Sequence, residues 1–186
     1  PYPTVMLLKD KLIVTRLLQQ AGIPVPETHV TITPQDVAPL LQAGALILKP
    51  VRGSRGRNIH IVSNVDELNA IPTDEPWLVQ RYYKPDGLDH KIYRIGDECF
   101  GVRRIFPLRT YADKSGEPFV LDAALREIAL RIGRVLGTNL YACDVVISAG
   151  KPYVVDVNKF GSFMGVPDAP RHLADYLFAA ALNSGG

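Results

Sequence analysis

The sequence predicts an α+β fold, in which helices and strands follow one another without a regular strand–helix–strand repeat. Short apolar segments of strand length are mixed with amphipathic segments at helical spacing. Several of the strands are joined by tight turns, as in antiparallel hairpins. Hydrophobic residues make up 47% of the 186 residues, enough to bury a core in one ordinary domain or two small, closely packed ones.

The composition excludes several classes of protein. A formal net charge of +2 is too mild for a chain whose main partner is DNA or RNA. Neither a signal peptide nor an apolar run of about 18 residues, as a membrane span needs, is visible, and we expect a cytoplasmic protein. Cys99 and Cys143 lack the spacing of a zinc site or a disulfide framework, so we expect two reduced, buried thiols.

The first part of the chain predicts two helices and a set of short strands. Apolar residues at helical spacing run from Leu7 to Ala21 and end at Gly22, a favourable C-terminal cap. Residues 23–26 (Ile-Pro-Val-Pro) predict an extended connector, because each proline disfavours helix at the residue before it. The sequence then predicts a helix that begins at Thr33-Pro34 and ends at Gly44, strands over 45–49, 58–62 and 77–83, and a short capped helix over 63–68.

The second part predicts two hairpins, a loop and two helices. The first hairpin has a glycine in a two-residue turn, the second turns around a glycine, and the longer of the two helices follows an aspartate that can cap it. In chain order these elements are a hairpin over 90–95 and 98–104 with a type II′ turn at Gly96-Asp97, a polar, mobile loop over 107–120, a helix from Asp122 to Gly137, a hairpin over 140–147 and 152–157 around Ala149-Gly150, and a helix after Asp168.

A basic, glycine-rich segment joins two of the predicted strands. Lys49 ends an apolar strand, where its ammonium group needs a partner. Gly53 and Gly56 let backbone amides approach an anion, next to the hydroxyl of Ser54. Because the segment leads into a strand, it is neither a Walker loop nor a dinucleotide-binding turn, both of which lead into a helix. The pattern fits a flap that closes over a triphosphate. A solvated basic hairpin turn is the alternative.

Two aspartates lie inside apolar strands near the C-terminal end, where an unpaired carboxylate is costly. Asp156 and Asn158 are two residues apart and share one face of a strand, whereas a two-residue turn would send Asp144 to the opposite face. We therefore expect an odd-length connection or a bulge that places Asp144 opposite Asp156. The two carboxylates and the amide oxygen would then form a site for Mg²⁺. Pairing of each aspartate with an arginine is the alternative.

The middle hairpin gathers charge in a similar way. With its two-residue turn, Asp89 pairs with Arg104 and Lys91 with Val102, so the three charged side chains share one face. Arg103 faces the other way. Lys91 and Arg104 suit phosphate oxygens, with Asp89 orienting them, and simple cross-strand ion pairing is the alternative.

In this order and spacing, the segments resemble the ATP-grasp enzymes, in particular the ribosomal-protein glutamate ligases and inositol polyphosphate kinases. The resemblance covers the chain from Asp10 to about Ala169. It rests on Lys9-Asp10-Lys11 with the connector over 21–28, on Leu48-Lys49-Pro50 with Gly53-Ser54-Arg55-Gly56, on the strand over 78–83, on Asp89-His90-Lys91 with Val102-Arg103-Arg104, and on Asp144 with Asp156-Val157-Asn158.

The resemblance implies an ATP-grasp fold, two α+β subdomains that clasp ATP between antiparallel sheets. It divides the chain into a leading helix over 1–22, a small subdomain with the phosphate flap over 23–83, and a large C-terminal subdomain with the metal site over 84–186. Members of the family normally carry a substrate-binding domain before the Asp10-Lys11 helix. We therefore expect a fragment, a chain that takes this surface from a partner, or a minimal enzyme.

The resemblance also implies three groups of functional residues. Within the first group, Lys11 and Lys49 would hold the α- and β-phosphates, the backbone of Arg81 and Tyr83 would meet adenine, and Asp86 would contact the ribose. The nucleotide-binding residues are Lys11, Lys49, Gly53, Ser54, Gly56, Gln80, Arg81, Tyr83, Asp86 and Asp89. The catalytic residues are Lys91 and Arg104, with Arg104 on the γ-phosphate or the acceptor. The ligands of one or two Mg²⁺ ions, or of Mn²⁺, are Asp144, Asp156 and Asn158.

The activity that the resemblance implies is transfer of the γ-phosphoryl group of ATP to a small, anionic acceptor, by positioning and charge neutralisation. The first expectation is an ADP-forming carboxylate–amine ligase that acts through an acyl phosphate. A kinase that leaves the phosphate on a hydroxyl group and a nucleotide-binding module without catalysis are the alternatives. Asp156, where many ligases carry glutamate, and the segment over 160–167 look closer to the inositol kinases.

Overall fold

The computed structural model describes residues 2–51, 58–73, 75–105 and 115–183. Its elements confirm the predicted α+β class. In chain order they are α1 (Tyr2–Leu7), α2 (Lys11–Gln20), β1 (Thr28–Thr31), a 3₁₀ helix (Pro34–Ala43), β2 (Leu46–Pro50), β3 (His60–Val62), α3 (Val65–Asn69), β4 (Trp77–Arg81), β5 (Leu88–Ile95), β6 (Glu98–Ile105), β7 (Glu117–Phe119), α4 (Ala123–Leu136), β8 (Leu140–Ser148), β9 (Lys151–Lys159) and α5 (Ala169–Asn183).

The strands form two antiparallel sheets. The four-stranded sheet has the order β1-β4-β2-β3, and the five-stranded sheet has the order β7-β6-β5-β8-β9. Both predicted hairpins are present, with two-residue turns. Gly96 has a φ of +61° and begins the first turn, and Ala149 and Gly150 have φ values of +49° and +72° in the second, as a type I′ turn requires.

Three hydrophobic clusters hold these layers together. One face of the four-stranded sheet packs on the 3₁₀ helix and α3. One face of the five-stranded sheet packs on α2 and α4, and part of its other face packs on α5. That last face is apolar towards α5 but carries charged side chains on the rest of β5 and β8, which leaves it open for a site. The subdomain boundaries after residues 22 and 83 stay predictions.

The helix predicted from Leu7 to Ala21 begins later, at Lys11, and Leu7 is the last residue of the separate helix α1. Asp10 accepts a hydrogen bond from the amide of Ile13 at 2.9 Å, so it caps α2 and interrupts the apolar run. The predicted end is correct, since Gly22 has a φ of +66°.

The two short helices of the small sheet also differ in detail from the prediction. The segment that begins at Thr33-Pro34 is a 3₁₀ helix, because Pro39 inside it has no amide hydrogen to donate to an α-helical bond. The predicted start at residue 63 is one residue early: Asn64 caps α3 and accepts from the amide of Glu67 at 2.9 Å.

The polar segment over 107–120 is not wholly a loop. Residues 106–114 lie outside the described residues, but β7 pairs with β6 and extends the larger sheet. The ring of Phe119 lies over Gly101, where an added Cβ atom would come within 2.6 Å of it. The prediction of a loop up to residue 120 was therefore wrong. The sequence does not predict this strand, because it is a short edge strand and contains a proline.

The cysteines are free thiols, as expected, but they are not equally buried. Cys143 is fully buried, which raises its pKa, whereas Cys99 is only partly buried. Across the described part of the chain, every helix falls short of the length and apolarity that a membrane crossing requires.

Candidate active site

A β-bulge in β9 brings the acidic pair together. In a regular ladder the two-residue turn at Ala149-Gly150 would place Asp144 opposite Val155, yet Asp144 pairs with Asp156. The ladder shifts register next to this pair, and Val155 is the extra residue of the bulge. The predicted bulge is confirmed, and both carboxylates lie on one face of the sheet.

Asp144 lies at the centre of a hydrogen-bonded cluster. Its carboxylate accepts from Lys91 Nζ at 2.7 Å, from Arg104 at 3.2 Å and from Asn158 Nδ2 at 3.1 Å. Burial disfavours the charged form of Lys91, but the Asp144 carboxylate outweighs it and leaves the pKa of Lys91 raised. The ion pairing that the sequence left open as an alternative is therefore present.

The register of the middle hairpin is the predicted one, with Asp89 opposite Arg104 and Lys91 opposite Val102. Arg104 forms an ion pair with Asp89 as well as with Asp144. Burial, and then the Asp144 carboxylate, raises the pKa of Asp89. The Nε atom of Arg104 is buried and has no hydrogen-bond partner among the described residues, and a buried donor of this kind is rare in folded proteins.

Asp156 fits the role of a metal ligand. Burial, and then the nearby Asp144, raises its pKa. The ammonium groups of Lys49, Lys11 and Lys91 oppose this shift, and Asp156 Oδ1 accepts the amide of Val157 at 3.1 Å. A divalent cation between the two carboxylates would neutralise both, and carboxylate and amide oxygens are ligands that Mg²⁺ prefers.

The donor set for such an ion is small. The described residues contain no group of three or more His, Cys, Asp or Glu side chains with metal-binding geometry. Asp144 and Asp156 would therefore need the amide oxygen of Asn158, and oxygens from phosphate or water, to complete the coordination of Mg²⁺. The assignment of these three residues to a metal stays a prediction.

Lys49 reaches from the four-stranded sheet to the bulge of the five-stranded sheet. Its side chain is buried, and Nζ donates to Gln80 Oε1 at 3.0 Å and to the carbonyl of Val155 at 3.3 Å. Burial lowers the pKa of Lys49, and the carboxylates of Asp156 and Asp144 oppose that shift. The ammonium group and the acidic pair thus come from different sheets and meet at one place.

Lys11 lies at the start of α2 and lines a small recess that opens beside the acidic pair. The recess is also lined by Leu78 and Asp156, and by aliphatic side chains of α2 and β9. Lys11 is close enough to Lys49 and Asp156 to influence the pKa of each. This position of Lys11 supports its predicted contact with the nucleotide phosphates, which stays a prediction.

The strand predicted to read adenine has much of its polar surface already engaged. The Gln80 side chain is buried and bonds to Lys49 and to Thr28. The amide of Arg81 donates to the carbonyl of Glu27 at 3.0 Å, and its guanidinium donates to the carbonyls of Leu40 and Gly44. The Arg81 side chain therefore holds the 3₁₀ helix in place.

Asp86 has a structural partner that the sequence did not indicate. Its two carboxylate oxygens accept from the amides of Ala149 and Gly150, both at 3.3 Å, so Asp86 fastens the turn between β8 and β9. Its contact with a ribose stays a prediction.

Two residues beside the site were not predicted. Tyr153 stacks on Tyr83, with ring centroids 3.9 Å apart and planes 8° from parallel. Thr28 is a buried hydroxyl that bonds to Gln80. Neither residue has a local signal: Thr28 lies between Glu27 and His29 in the sequence, and Tyr83 and Tyr153 are far apart along the chain. The flap residues Gly53, Ser54 and Gly56 lie outside the described residues.

The structure has two antiparallel sheets and a buried lysine close to a pair of strand aspartates, as the resemblance to the ATP-grasp enzymes implies. Residues 8–167 match the RimK-like ATP-grasp domain, and the chain belongs to that family.

Relatives and solved structures agree with this assignment. The chain is 28% identical over 182 residues to the α-aminoadipate–LysW ligase LysX of Sulfurisphaera tokodaii, covering 89% of this chain and 62% of the relative. It is 26% identical to a probable α-L-glutamate ligase of Thioalkalivibrio sulfidiphilus, covering 87% of this chain and 58% of the relative. The chain therefore spans about three-fifths of the length of these relatives.

The fold is that of the ATP-grasp ligase PsnB, solved with a minimal precursor, Mg and ADP. The TM-score is 0.78 at 22% identity, over 95% of this chain and 60% of PsnB. A RimK domain ATP-grasp protein of Sphaerobacter thermophilus superposes with a TM-score of 0.70 at 25% identity, over 94% of this chain and 69% of that protein. The ATP-grasp fold expected from the sequence is confirmed.

Proposed function

We propose that the chain carries the active site of an ADP-forming carboxylate–amine ligase that uses ATP with one or two Mg²⁺ ions, or Mn²⁺. The observation that carries the proposal is the meeting of Lys49, from one sheet, with Asp144 and Asp156, from the other. A cation close to two carboxylates suits a triphosphate whose own charge is neutralised partly by Mg²⁺ and partly by lysine.

Different side chains would neutralise different parts of the bound nucleotide. Lys49, with Lys11 nearby, would neutralise the phosphates that stay on ADP. Lys91 and Arg104 would neutralise the transferred phosphoryl group, and the Arg104 Nε atom offers a buried donor for it. Asp144, Asp156 and Asn158 would hold Mg²⁺, which when bound supplies further neutralisation of the phosphate oxygens.

The proposed reaction has two steps, formation of an acyl phosphate and its attack by an amine. A carboxylate oxygen of the first substrate attacks the γ-phosphorus, the bond to the β-phosphate oxygen breaks, and ADP leaves. The amine nitrogen of the second substrate then attacks the acyl carbon of the acyl phosphate, inorganic phosphate leaves, and the nitrogen releases a proton to solvent. No side chain forms a covalent bond, so the protein acts by positioning and by electrostatics.

The second substrate is proposed to be an acidic amino acid. The relatives named above are ligases of α-aminoadipate and of glutamate, both amino acids with a second carboxylate. The anionic phosphoryl acceptor expected from the sequence is a different group, the carboxylate of the first substrate. These ligase relatives also favour a ligase over a kinase or a non-catalytic nucleotide-binding module.

Incubation of the chain, or of any longer protein that contains it, with ATP, Mg²⁺, a carboxylate and L-glutamate tests the proposal. A ligase releases ADP and inorganic phosphate only when both the carboxylate and the amine are present. Phosphate retained on a hydroxyl acceptor would instead indicate a kinase, and ATP binding without turnover would indicate a binding module.

A further inference from the structure

A chain of buried hydrogen bonds leads from the connector before β1 to the ammonium group of Lys49. Thr28 Oγ1 donates to the carbonyl of Pro26 at 2.7 Å and accepts from Gln80 Nε2 at 3.1 Å. Gln80 Oε1 in turn accepts from Lys49 Nζ at 3.0 Å. Thr28, Gln80 and Lys49 are only 4%, 1% and 9% exposed, so water competes little for these bonds.

The chemistry of the groups sets the direction of this chain. A backbone carbonyl can only accept, so the Thr28 hydroxyl must give its hydrogen to Pro26. The hydroxyl then has only lone pairs left for Gln80, which turns the amide NH₂ towards Thr28 and the amide oxygen towards Lys49. A reversed Gln80 amide would set its hydrogens against the ammonium group, and neither donor would be satisfied.

The other side of Lys49 is held by the larger sheet. Its Nζ donates to the carbonyl of Val155 in the bulge, and the adjacent Val154 amide donates to the carbonyl of Pro24 at 2.8 Å. Each sheet therefore supplies one acceptor to the ammonium group. These two bonds limit the directions in which its remaining hydrogen can point.

We infer that Gln80 and Thr28 are positioning residues that hold the ammonium group of Lys49 between the two sheets, ready to meet a phosphate. The inference rests on the proposed function, because a preset cation serves phosphate binding only if the chain binds a nucleotide. It also gives Gln80, predicted as a nucleotide contact, a role that acts through Lys49. A merely structural role would change stability alone, whereas positioning changes the affinity for phosphate-bearing ligands.

The first test compares Thr28→Val with Thr28→Ser, without nucleotide. Valine keeps the shape of threonine but removes the hydroxyl, so the Gln80 amide can reverse, whereas serine keeps the hydroxyl. NMR relaxation of the Lys49 ammonium group should show a rigid group in the wild type and in Thr28→Ser, and a more mobile group in Thr28→Val. Equal rigidity in all three proteins would overturn the inference.

The second test measures ATP and adenosine binding by calorimetry. Thr28→Val should weaken ATP binding about fivefold, the effect of one buried hydrogen bond, and leave adenosine binding unchanged. Thr28→Ser, which keeps the hydroxyl, should bind ATP as tightly as the wild type does. Equal losses for ATP and adenosine, or an equal loss of ATP affinity in Thr28→Ser and Thr28→Val, would contradict a positioning role.

The unfolding midpoint of each variant separates misfolding from mispositioning. If Thr28→Val does not fold, Gln80→Met, which keeps the side-chain length and removes the amide, should give the same mobile Lys49 and the same selective loss of ATP binding. A wild-type chain that binds no nucleotide would refute the proposed function and the phosphate role together. A rigid Lys49 in that chain would show that the hydrogen-bond chain is intact and only the proposed function has failed.

Discussion

Single residues of the site hold charges that the fold disfavours in the absence of a ligand. Asp156 is the plainest case, because burial and a neighbouring carboxylate raise its pKa. Its ionised form therefore destabilises the metal-free protein at neutral pH. A residue of this kind is typical of binding sites, where local stability is given up for a ligand.

Asp156→Asn should abolish turnover and leave the fold intact. Asparagine keeps the volume but removes the ligand charge, and it should raise the thermal unfolding midpoint of the metal-free chain because the buried charge is gone. Turnover assays and thermal unfolding measure the two effects. Asp97→Asn, at an exposed turn, is the matched control and should change neither. Wild-type turnover of Asp156→Asn with normal Mg²⁺ dependence would refute the metal assignment.

Lys49→Ala should weaken ATP binding far more than adenosine binding, by about ten- to a hundredfold, because a charge-assisted hydrogen bond to phosphate is lost. Calorimetry with both ligands measures this difference. Lys151→Ala, which removes an exposed lysine at the start of β9, should leave both affinities unchanged. If ATP and adenosine weaken equally, Lys49 supports the fold rather than the phosphates.

At the scale of secondary-structure elements, the hairpins were predictable and their surroundings were not. The turns at Gly96-Asp97 and Ala149-Gly150 carry local signals, and the placement of Asp144 opposite Asp156 predicted an odd-length connection or a bulge, of which the bulge is present. The position of that bulge at Val155 has no such signal, because it depends on contacts with Lys49 and the connector. The strand β7 was missed because its pairing with β6 is decided by tertiary contacts.

The segment after β9 shows unusual backbone conformations next to the site. Phe160, Phe163 and Asp168 have positive φ values of 37°, 52° and 48°, although none is glycine. Strain of this kind persists where the surrounding structure imposes it. Gly165 lies in the same segment, with a φ of +81°, and packs against the backbone of Ser115.

Gly165→Ala should destabilise the protein by about 1–3 kcal/mol more than Gly150→Ala, as measured by urea unfolding. Both glycines have positive φ values, so alanine is strained at each. At Gly150 an added Cβ would meet nothing within 4 Å, whereas at Gly165 it would lie 1.9 Å from the carbonyl oxygen of Ser115. Equal destabilisation would mean that the segment can move away from Ser115.

At the scale of the whole molecule, the candidate site is a junction between the two sheets. Lys49 bonds to the bulge of β9, and the connector before β1 bonds to the adjacent Val154. The acidic groups at this junction are ionised at a cost, since the pKa values of Asp89 and Asp156 are both raised, chiefly by burial. Their contribution to the free energy of unfolding is complete below the unfolded value of about 4 and is lost as the pH rises through the raised folded values.

Stabilisation by Mg²⁺ should therefore grow with pH. The ion competes with protons for Asp156, so the rise in the unfolding midpoint on adding Mg²⁺ should be larger at about pH 8 than at about pH 5. Thermal unfolding with and without Mg²⁺ across this range measures it. Asp156→Asn should flatten the dependence, and Asp97→Asn should preserve it. A shift that does not vary with pH would contradict binding at this carboxylate.

Because of the bulge at Val155, Asp144 and Asp156 face the same side only when the number of residues between them is odd. A hairpin with a two-residue turn and no bulge has an even number of residues between partners that face the same side, but Asp144 and Asp156 are separated by the odd stretch 145–155. One residue gained or lost elsewhere in that stretch would send one carboxylate to the wrong side, whereas two would not. Loss of Val155 itself is the exception, because it removes the bulge as well. Functional variants of this hairpin should therefore differ in length by an even number of residues, or should gain or lose one residue together with the bulge.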